Sequence, residues 1–152
     1  MDFINTIVCF IFPMISFCQE NAVGESIKYT NCGPDTLKNV DMSPCPVQPC
    51  TFHKGTNATV TIDFTTDKQV FGITTKVYGI VAGIPIPYQL PKSNGCKGCN
   101  LNCPLITGSH RYINVFPVLQ SYPEIRIAVK WELVDENNEQ LLCFVFPMQI
   151  EA

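Results

Sequence analysis

From Val77 to Pro91 the chain reads Val-Tyr-Gly-Ile-Val-Ala-Gly-Ile-Pro-Ile-Pro-Tyr-Gln-Leu-Pro, without one charged residue. Leading into it, Ile73, Thr75, Val77, Gly79 and Val81 recur at every second position, the period of a strand. In Ile84-Pro85-Ile86-Pro87-Tyr88, proline then alternates with large apolar side chains. Proline has no N–H to give to a sheet ladder, so this half must lie at a sheet edge and cannot be a central strand. A rigid apolar edge left in water needs a reason: it caps a core, or it lines a place that binds apolar matter.

The rest of the chain supplies more strands of the same kind. In Asn57 to Thr66, Ala58, Val60, Ile62 and Phe64 alternate with Thr59, Thr61, Asp63 and Thr65. His110 to Val118 places Tyr112, Asn114, Phe116 and Val118 on one side, with Pro117 interrupting its end. In Glu124 to Val134, Ile125, Ile127, Val129, Trp131 and Leu133 alternate with Arg126, Ala128, Lys130 and Glu132, which predicts one buried face and one wet face. Asp135 to Glu139 reads as a solvated hairpin loop, and Leu141 to Ile150 as the returning strand. Leu37 to Met42 is a further short strand, and Tyr29 to Pro34 a turn. No segment carries a helical period. Short strands separated by turns predict an all-β sandwich of two antiparallel sheets.

A chain of 152 residues makes one domain with a sizeable core. Charged residues are 15% of it and the net charge is −3, so there is no basic surface to track phosphates, and nucleic acid is excluded as a partner. No apolar run reaches bilayer-spanning length. Nine cysteines point to an oxidising compartment. The apolar stretch Ile4 to Phe17 has the length of a signal-peptide core, although Asp2 stands where a basic residue is usual. Ser16 and Cys18 are small residues at the −3 and −1 positions of a cut before Gln19. The domain reading is therefore a signal peptide at 1–18 and a mature domain at 19–152, secreted to an extracellular fluid or a lysosomal lumen. The competing reading of the first residues is a buried N-terminal strand. Asn57-Ala58-Thr59 is an acceptor for N-glycosylation in such a compartment.

Cys9 and Cys18 leave with the signal peptide. Among the remainder, Cys45 and Cys50 frame a proline-filled loop, and Cys96 and Cys103 another turn-rich one, so each pair is a natural local bridge. Cys32 with Cys143 would then tie the first strand region to the last, and Cys99 is left over. Sequence alone does not fix these pairings. Cys96, Cys99 and Cys103, with His110 as a fourth ligand, could instead form a zinc site. Oxidation of the thiols is the stronger reading in a secreted chain, so no metal and no cofactor is expected.

Catalytic chemistry finds no footing. There are two histidines, His53 and His110, and neither sits in a catalytic spacing. No Gly-x-Ser-x-Gly elbow, His-Glu-x-x-His pair or phosphate loop is present. The carboxylates gather in turns or, like Asp63 and Glu132, face away from the apolar side of their strands. The chain is read as not an enzyme, with a secreted hydrolase the weakest alternative.

Taken in order, Asn-Cys-Gly at 31–33, Ser-Pro-Cys-Pro-Val-Gln-Pro-Cys at 43–50, Gly-Ile-Pro-Ile-Pro-Tyr at 83–88, Gly-Cys and Asn-Cys-Pro at 95–104, Phe-Pro-Val and Tyr-Pro at 116–123, Val-Lys-Trp-Glu-Leu at 129–133 and Cys-Phe at 143–144 form a recognisable set. This set resembles the secreted Niemann-Pick type C protein 2 family of ML (MD-2-related lipid-recognition) domains, and is read as an arthropod member. The resemblance spans nearly all of Cys32 to Ile150. It implies an immunoglobulin-like β-sandwich with an apolar ligand cavity between the sheets, and the bridges Cys32–Cys143, Cys45–Cys50 and Cys96–Cys103. It also implies ligand-lining roles for Tyr88, Val118 and Tyr122, with Pro117 and Trp131 nearby. Position 88 is Phe in the vertebrate sterol carriers of the family. Tyr88 adds a hydroxyl that needs a partner when buried. Cys99 is an addition to the family's cysteine loop.

The function that this resemblance implies is a monomeric soluble carrier of a sterol, a fatty acid or a semiochemical-like apolar ligand. A membrane receptor or transporter would take over the ligand. The alternative is a lipid-dependent co-receptor or docking module whose apolar mouth meets a membrane receptor. Without the resemblance, the same side chains would read as ordinary core.

Overall fold

The period-two segments become strands, and their alternation sets which side chains face inward. The computed structural model describes residues 7–12, 15–20 and 25–152, the first two segments and Glu25 through their backbone alone. The strands in chain order are β1 (Ile7–Phe12), β2 (Ile15–Glu20), β3 (Glu25–Ser26), β4 (Thr30–Asn31), β5 (Leu37–Ser43) and β6 (Cys50–His53). After them come β7 (Thr56–Thr66), β8 (Ile73–Val81), β9 (Ile84–Tyr88), β10 (Gly108–Val118), β11 (Ile125–Asp135) and β12 (Gln140–Glu151).

Two sheets face each other. The smaller has the order β10-β7-β5-β3, and the larger β4-β12-β11-β8-β9, with β6 added beside β12. Neighbours are antiparallel except β6, which runs parallel to the end of β12. Ala58, Val60, Ile62 and Phe64 of β7 are fully buried against the larger sheet's Leu133, Leu142, Phe144 and Phe146. Asp63, on the outer side of β7, takes two hydrogen bonds from Arg111 of β10 at 2.7 and 3.1 Å. β1 and β2 pair with each other as a separate two-stranded sheet. Of the expected signal peptide, residues 1–6 and 13–14 and the side chains of Cys9 and Cys18 lie outside the described residues.

The proline-rich segment lies where the absence of N–H donors requires. β9 is the last strand of the larger sheet, paired on one side only, to β8. Three disulfides among the described residues fasten the rest. Cys32–Cys143 ties the segment after β4 to β12, Cys45–Cys50 closes the loop between β5 and β6, and Cys96–Cys103 closes part of the loop between β9 and β10. Cys99 is buried and has no disulfide partner among the described residues. Three disulfides in one domain place it in an oxidising compartment.

The structure adds one strand that the sequence reading left unassigned and corrects three local expectations. Cys50–His53 runs parallel to the end of β12 and buries Phe52 there. Thr30–Asn31, read as part of a turn, pairs with β12 before the turn begins; the Asn31 carboxamide then accepts the Gly33 N–H at 2.8 Å. Glu132, assigned to the wet face, is 9% exposed and accepts a 2.7 Å bond from Gln140 Nε2. Asp135, read as solvated, is 3% exposed. It accepts the N–H groups of Asn137 and Glu139 and pairs with Lys68 at 3.0 Å, so it organises the hairpin rather than decorating it.

Candidate functional site

The sheets touch closely at one end and part at the other. At the close end, Trp131 stacks on Phe144 with centroids 6.5 Å apart and meets Tyr112 edge-on at 6.4 Å. There the Tyr112 hydroxyl bonds Thr75 Oγ1 at 2.8 Å and accepts from Asn114 Nδ2 at 2.8 Å, while Asn114 Oδ1 is buried with no partner among the described residues. Beyond Trp131 the space between the sheets is open. A cavity of about 290 Å³ runs from Trp131, Phe116 and Phe146 to the edge formed by β9 and the loop that leaves β10.

Register explains why this wall is apolar. In the β8–β9 hairpin, Val77 stands opposite Tyr88, Gly79 opposite Ile86 and Val81 opposite Ile84, so one face of both strands points to the cavity. Gly79 contributes by having no side chain, since a Cβ there would stand 3.1 Å from Ile127 Cδ1. β11 adds Ile125, Ile127 and Val129, and β12 adds Met148 and Ile150. The hairpin tip turns through Ala82 and Gly83, both at positive φ (50° and 78°), and the rim beside it is greasy. Val81, Ile84 and Ile86 are 38%, 63% and 50% exposed.

All five side chains proposed from the sequence line this one cavity: Tyr88 on β9, Pro117 and Val118 on β10, Tyr122 in the following loop, and Trp131 on β11. Phe116, Ile127, Val129, Phe146 and Met148 line it too and were not singled out. Each lies on the inward register of a strand already legible, so the alternation was the signal that could have found them. The Tyr88 hydroxyl has a partner, the Tyr122 hydroxyl, with the rings edge-on at 5.5 Å. Burial first, then that bond, pushes the Tyr88 phenol well above its ordinary pKa, so it stays protonated. Trp131 Nε1 is buried without a partner among the described residues.

The groups considered for chemistry do not converge. The His110 ring meets the Ile106 carbonyl at 2.7 Å, and His53 meets the Ala152 carbonyl at 3.2 Å. Cys96 and Cys103 are spent in a disulfide. Among the described residues no three His, Cys, Asp or Glu side chains gather as metal ligands. Asn57 is exposed at the start of β7.

Comparison with known proteins fits this geometry. Residues 26–150 match the family described as ML domain. The chain is 38% identical over 148 residues to the NPC intracellular cholesterol transporter 2 of Bos taurus, covering 95% of this chain and 97% of that one. A crystal structure of a Niemann-Pick type C2 protein from the Japanese carpenter ant superposes with a TM-score of 0.77 at 24% identity, over 82% of this chain and 100% of that one. Chicken MD-1 complexed with lipid IVa superposes with a TM-score of 0.58 at 15% identity, over 80% and 86%.

Proposed function

The chain belongs to the ML-domain family, and from that premise we propose that it is a secreted carrier that holds one apolar lipid between its two sheets. The observation that carries the reading is the cavity itself. Its wall is almost wholly hydrocarbon and aromatic ring, its volume stands near the lower end of small-molecule sites, and it opens at a sheet edge. Such a site binds by burial. At ~0.8 kcal/mol per methylene removed from water, eight methylenes contribute roughly 6 kcal/mol, so an acyl chain or a sterol side chain suffices.

In this reading Tyr88, Pro117, Val118, Tyr122 and Trp131 form the ligand wall. The cholesterol transporters among the relatives favour a sterol, while the modest cavity volume suits a single acyl chain or a semiochemical-like molecule equally well. The chain enters the secretory route through residues 1–18, leaves as 19–152 and carries a glycan at Asn57. Its bridges and exposed Asn57 suit an extracellular fluid or a lysosomal lumen.

A second reading draws support from the exposed rim. Val81, Ile84 and Ile86 offer an apolar lip around the mouth, suited to a membrane receptor or transporter that takes the ligand over or is signalled by it. Native mass spectrometry of protein secreted by eukaryotic cells tests both readings. The carrier reading predicts one lipid mass per chain, released by organic extraction. Protein that emerges without lipid, takes up none from a lipid extract and is retained by a receptor would favour the docking module instead. In the same spectra, cleavage before Gln19 and a glycosidase-sensitive mass lost in Asn57→Gln are expected.

A further inference from the structure

Across the open edge of the sandwich, one residue of the larger sheet reaches one from the smaller sheet's side. Tyr88 sits on β9, the edge of the larger sheet, and Tyr122 in the loop leaving β10, the edge of the smaller. Their rings stand edge to face at 79°, and their hydroxyls are hydrogen-bonded. Each phenol has one O–H to donate and lone pairs to accept. One bond between two phenols uses one donor. Whichever ring donates, the other's O–H is left over, and among the described residues it has no further protein partner. In a wall otherwise built of apolar side chains, the polar side-chain atoms among the described residues are these two oxygens and Trp131 Nε1 at the closed end. Both tyrosines are half-buried, so a polar group beside them keeps some access to water, whereas one beside Trp131 does not.

We propose that Tyr88 and Tyr122 form a hydrogen-bonding clasp at the cavity mouth that selects, among apolar ligands, those whose outer end carries a hydrogen-bond acceptor such as a hydroxyl, carbonyl or carboxyl oxygen. This rests on the carrier reading and deepens it. The apolar body of the ligand enters toward Trp131, and its polar end stops at the pair and accepts the spare O–H. Burial and the bond to Tyr122 keep the Tyr88 phenol protonated, so its O–H stays within the pair across the physiological pH range. The pair also links the two sheets' edges by side chains, so the ligand's end meets both edges at once.

The test uses delipidated full-length mature protein and displacement of bound N-phenyl-1-naphthylamine by matched probes: dodecan-1-ol against dodecane, and cholesterol against 5-cholestene. The quantity read is the preference for the hydroxylated member of each pair, compared between wild type and variants, which cancels the cost of taking the hydroxyl out of water. Tyr88→Phe or Tyr122→Phe alone leaves one phenol with a free O–H, so each keeps part of the preference. The double variant is expected to lose about fivefold, the size of one net hydrogen bond. A double variant with the wild-type preference overturns the clasp and moves recognition to Trp131 Nε1, while probe binding itself keeps the carrier reading alive. A preference lost equally in both single variants and the double overturns the spare-donor arrangement. Wild-type protein from which no probe displaces the dye removes the carrier reading and the clasp together.

Discussion

Phe116 of β10 and Trp131 of β11 meet across the sandwich with ring centroids 5.7 Å apart, and at this contact the packed core ends and the cavity begins. On the core side Trp131 also packs on Tyr112 and Phe144. On the other side it faces empty volume. The indole is thus both a structural member and the floor of the candidate site, and it is the chain's only tryptophan.

That position makes Trp131 a reporter. A ligand that fills the cavity changes the polarity and contacts of one face of the indole, so its emission should shift or quench in step with loading, saturating at one ligand per chain. Titration of delipidated protein with hexadecanoic acid or cholesterol, followed at the tryptophan band, checks this. Loading detected by mass with emission unchanged would place the lipid elsewhere.

The disulfides should differ in what they contribute. Cys32–Cys143 spans 111 positions and Cys45–Cys50 spans 5. In the chain-entropy account, closing the long loop contributes about 4.8 kcal/mol and the short one about 2.2 kcal/mol. Replacing both members of the long bridge by Ser should therefore lower the thermal midpoint by roughly 5–10 °C more than replacing both members of the short one. Equal shifts would show that loop closure does not rank the two bridges.

Asp135 predicts a pH dependence. Burial raises its pKa, but the Glu139 N–H, the Lys68 ammonium and the Asn137 N–H together outweigh burial and hold it below the ordinary value. A carboxylate whose folded pKa is depressed gives stability that is present above the unfolded value of about 3.9 and is lost as pH falls through the folded value. Asp135→Asn should cost about 1–2 kcal/mol at pH 7, the lower part of the range for bonds to a charged group because Lys68 is half exposed. The gap to wild type should close as pH drops below about 4. A gap that persists unchanged at low pH would show that the charge is not what matters.

Much of this architecture was legible because period-two alternation reports burial directly. β7, β8, β10 and β11 follow from it, and the prolines of Ile84 to Tyr88 put β9 at an edge. What stayed hidden depends on partners distant in sequence. Four residues cannot announce β6, whose burial depends on β12 about a hundred positions away. Glu132 has the alternation of a wet residue, yet it is buried and bonded by Gln140 from the next strand. Alternation also does not distinguish a cavity wall from a packed core. Val118 and Ile62 have the same pattern, and only the separation of the sheets beyond Trp131 makes one of them a wall. The motif resemblance, not the periodicity, singled out Tyr88, Val118 and Tyr122.

The central claim is that the volume beside Val118 is a ligand site, and Val118→Trp tests it most directly. Val118 is 3% exposed and lines the cavity. If the space is real, an indole enters it, excludes the ligand and disturbs few neighbours. If the side chain is close-packed, the added ring forces its neighbours off their rotamers at roughly 1–3 kcal/mol or more. The measurement is displacement of a fluorescent fatty acid and a fluorescent sterol from the variant, together with the thermal midpoint of delipidated protein. The account predicts binding abolished and a midpoint equal to or above that of wild type. A midpoint several degrees lower, with wild-type affinity in the folded fraction, would contradict it.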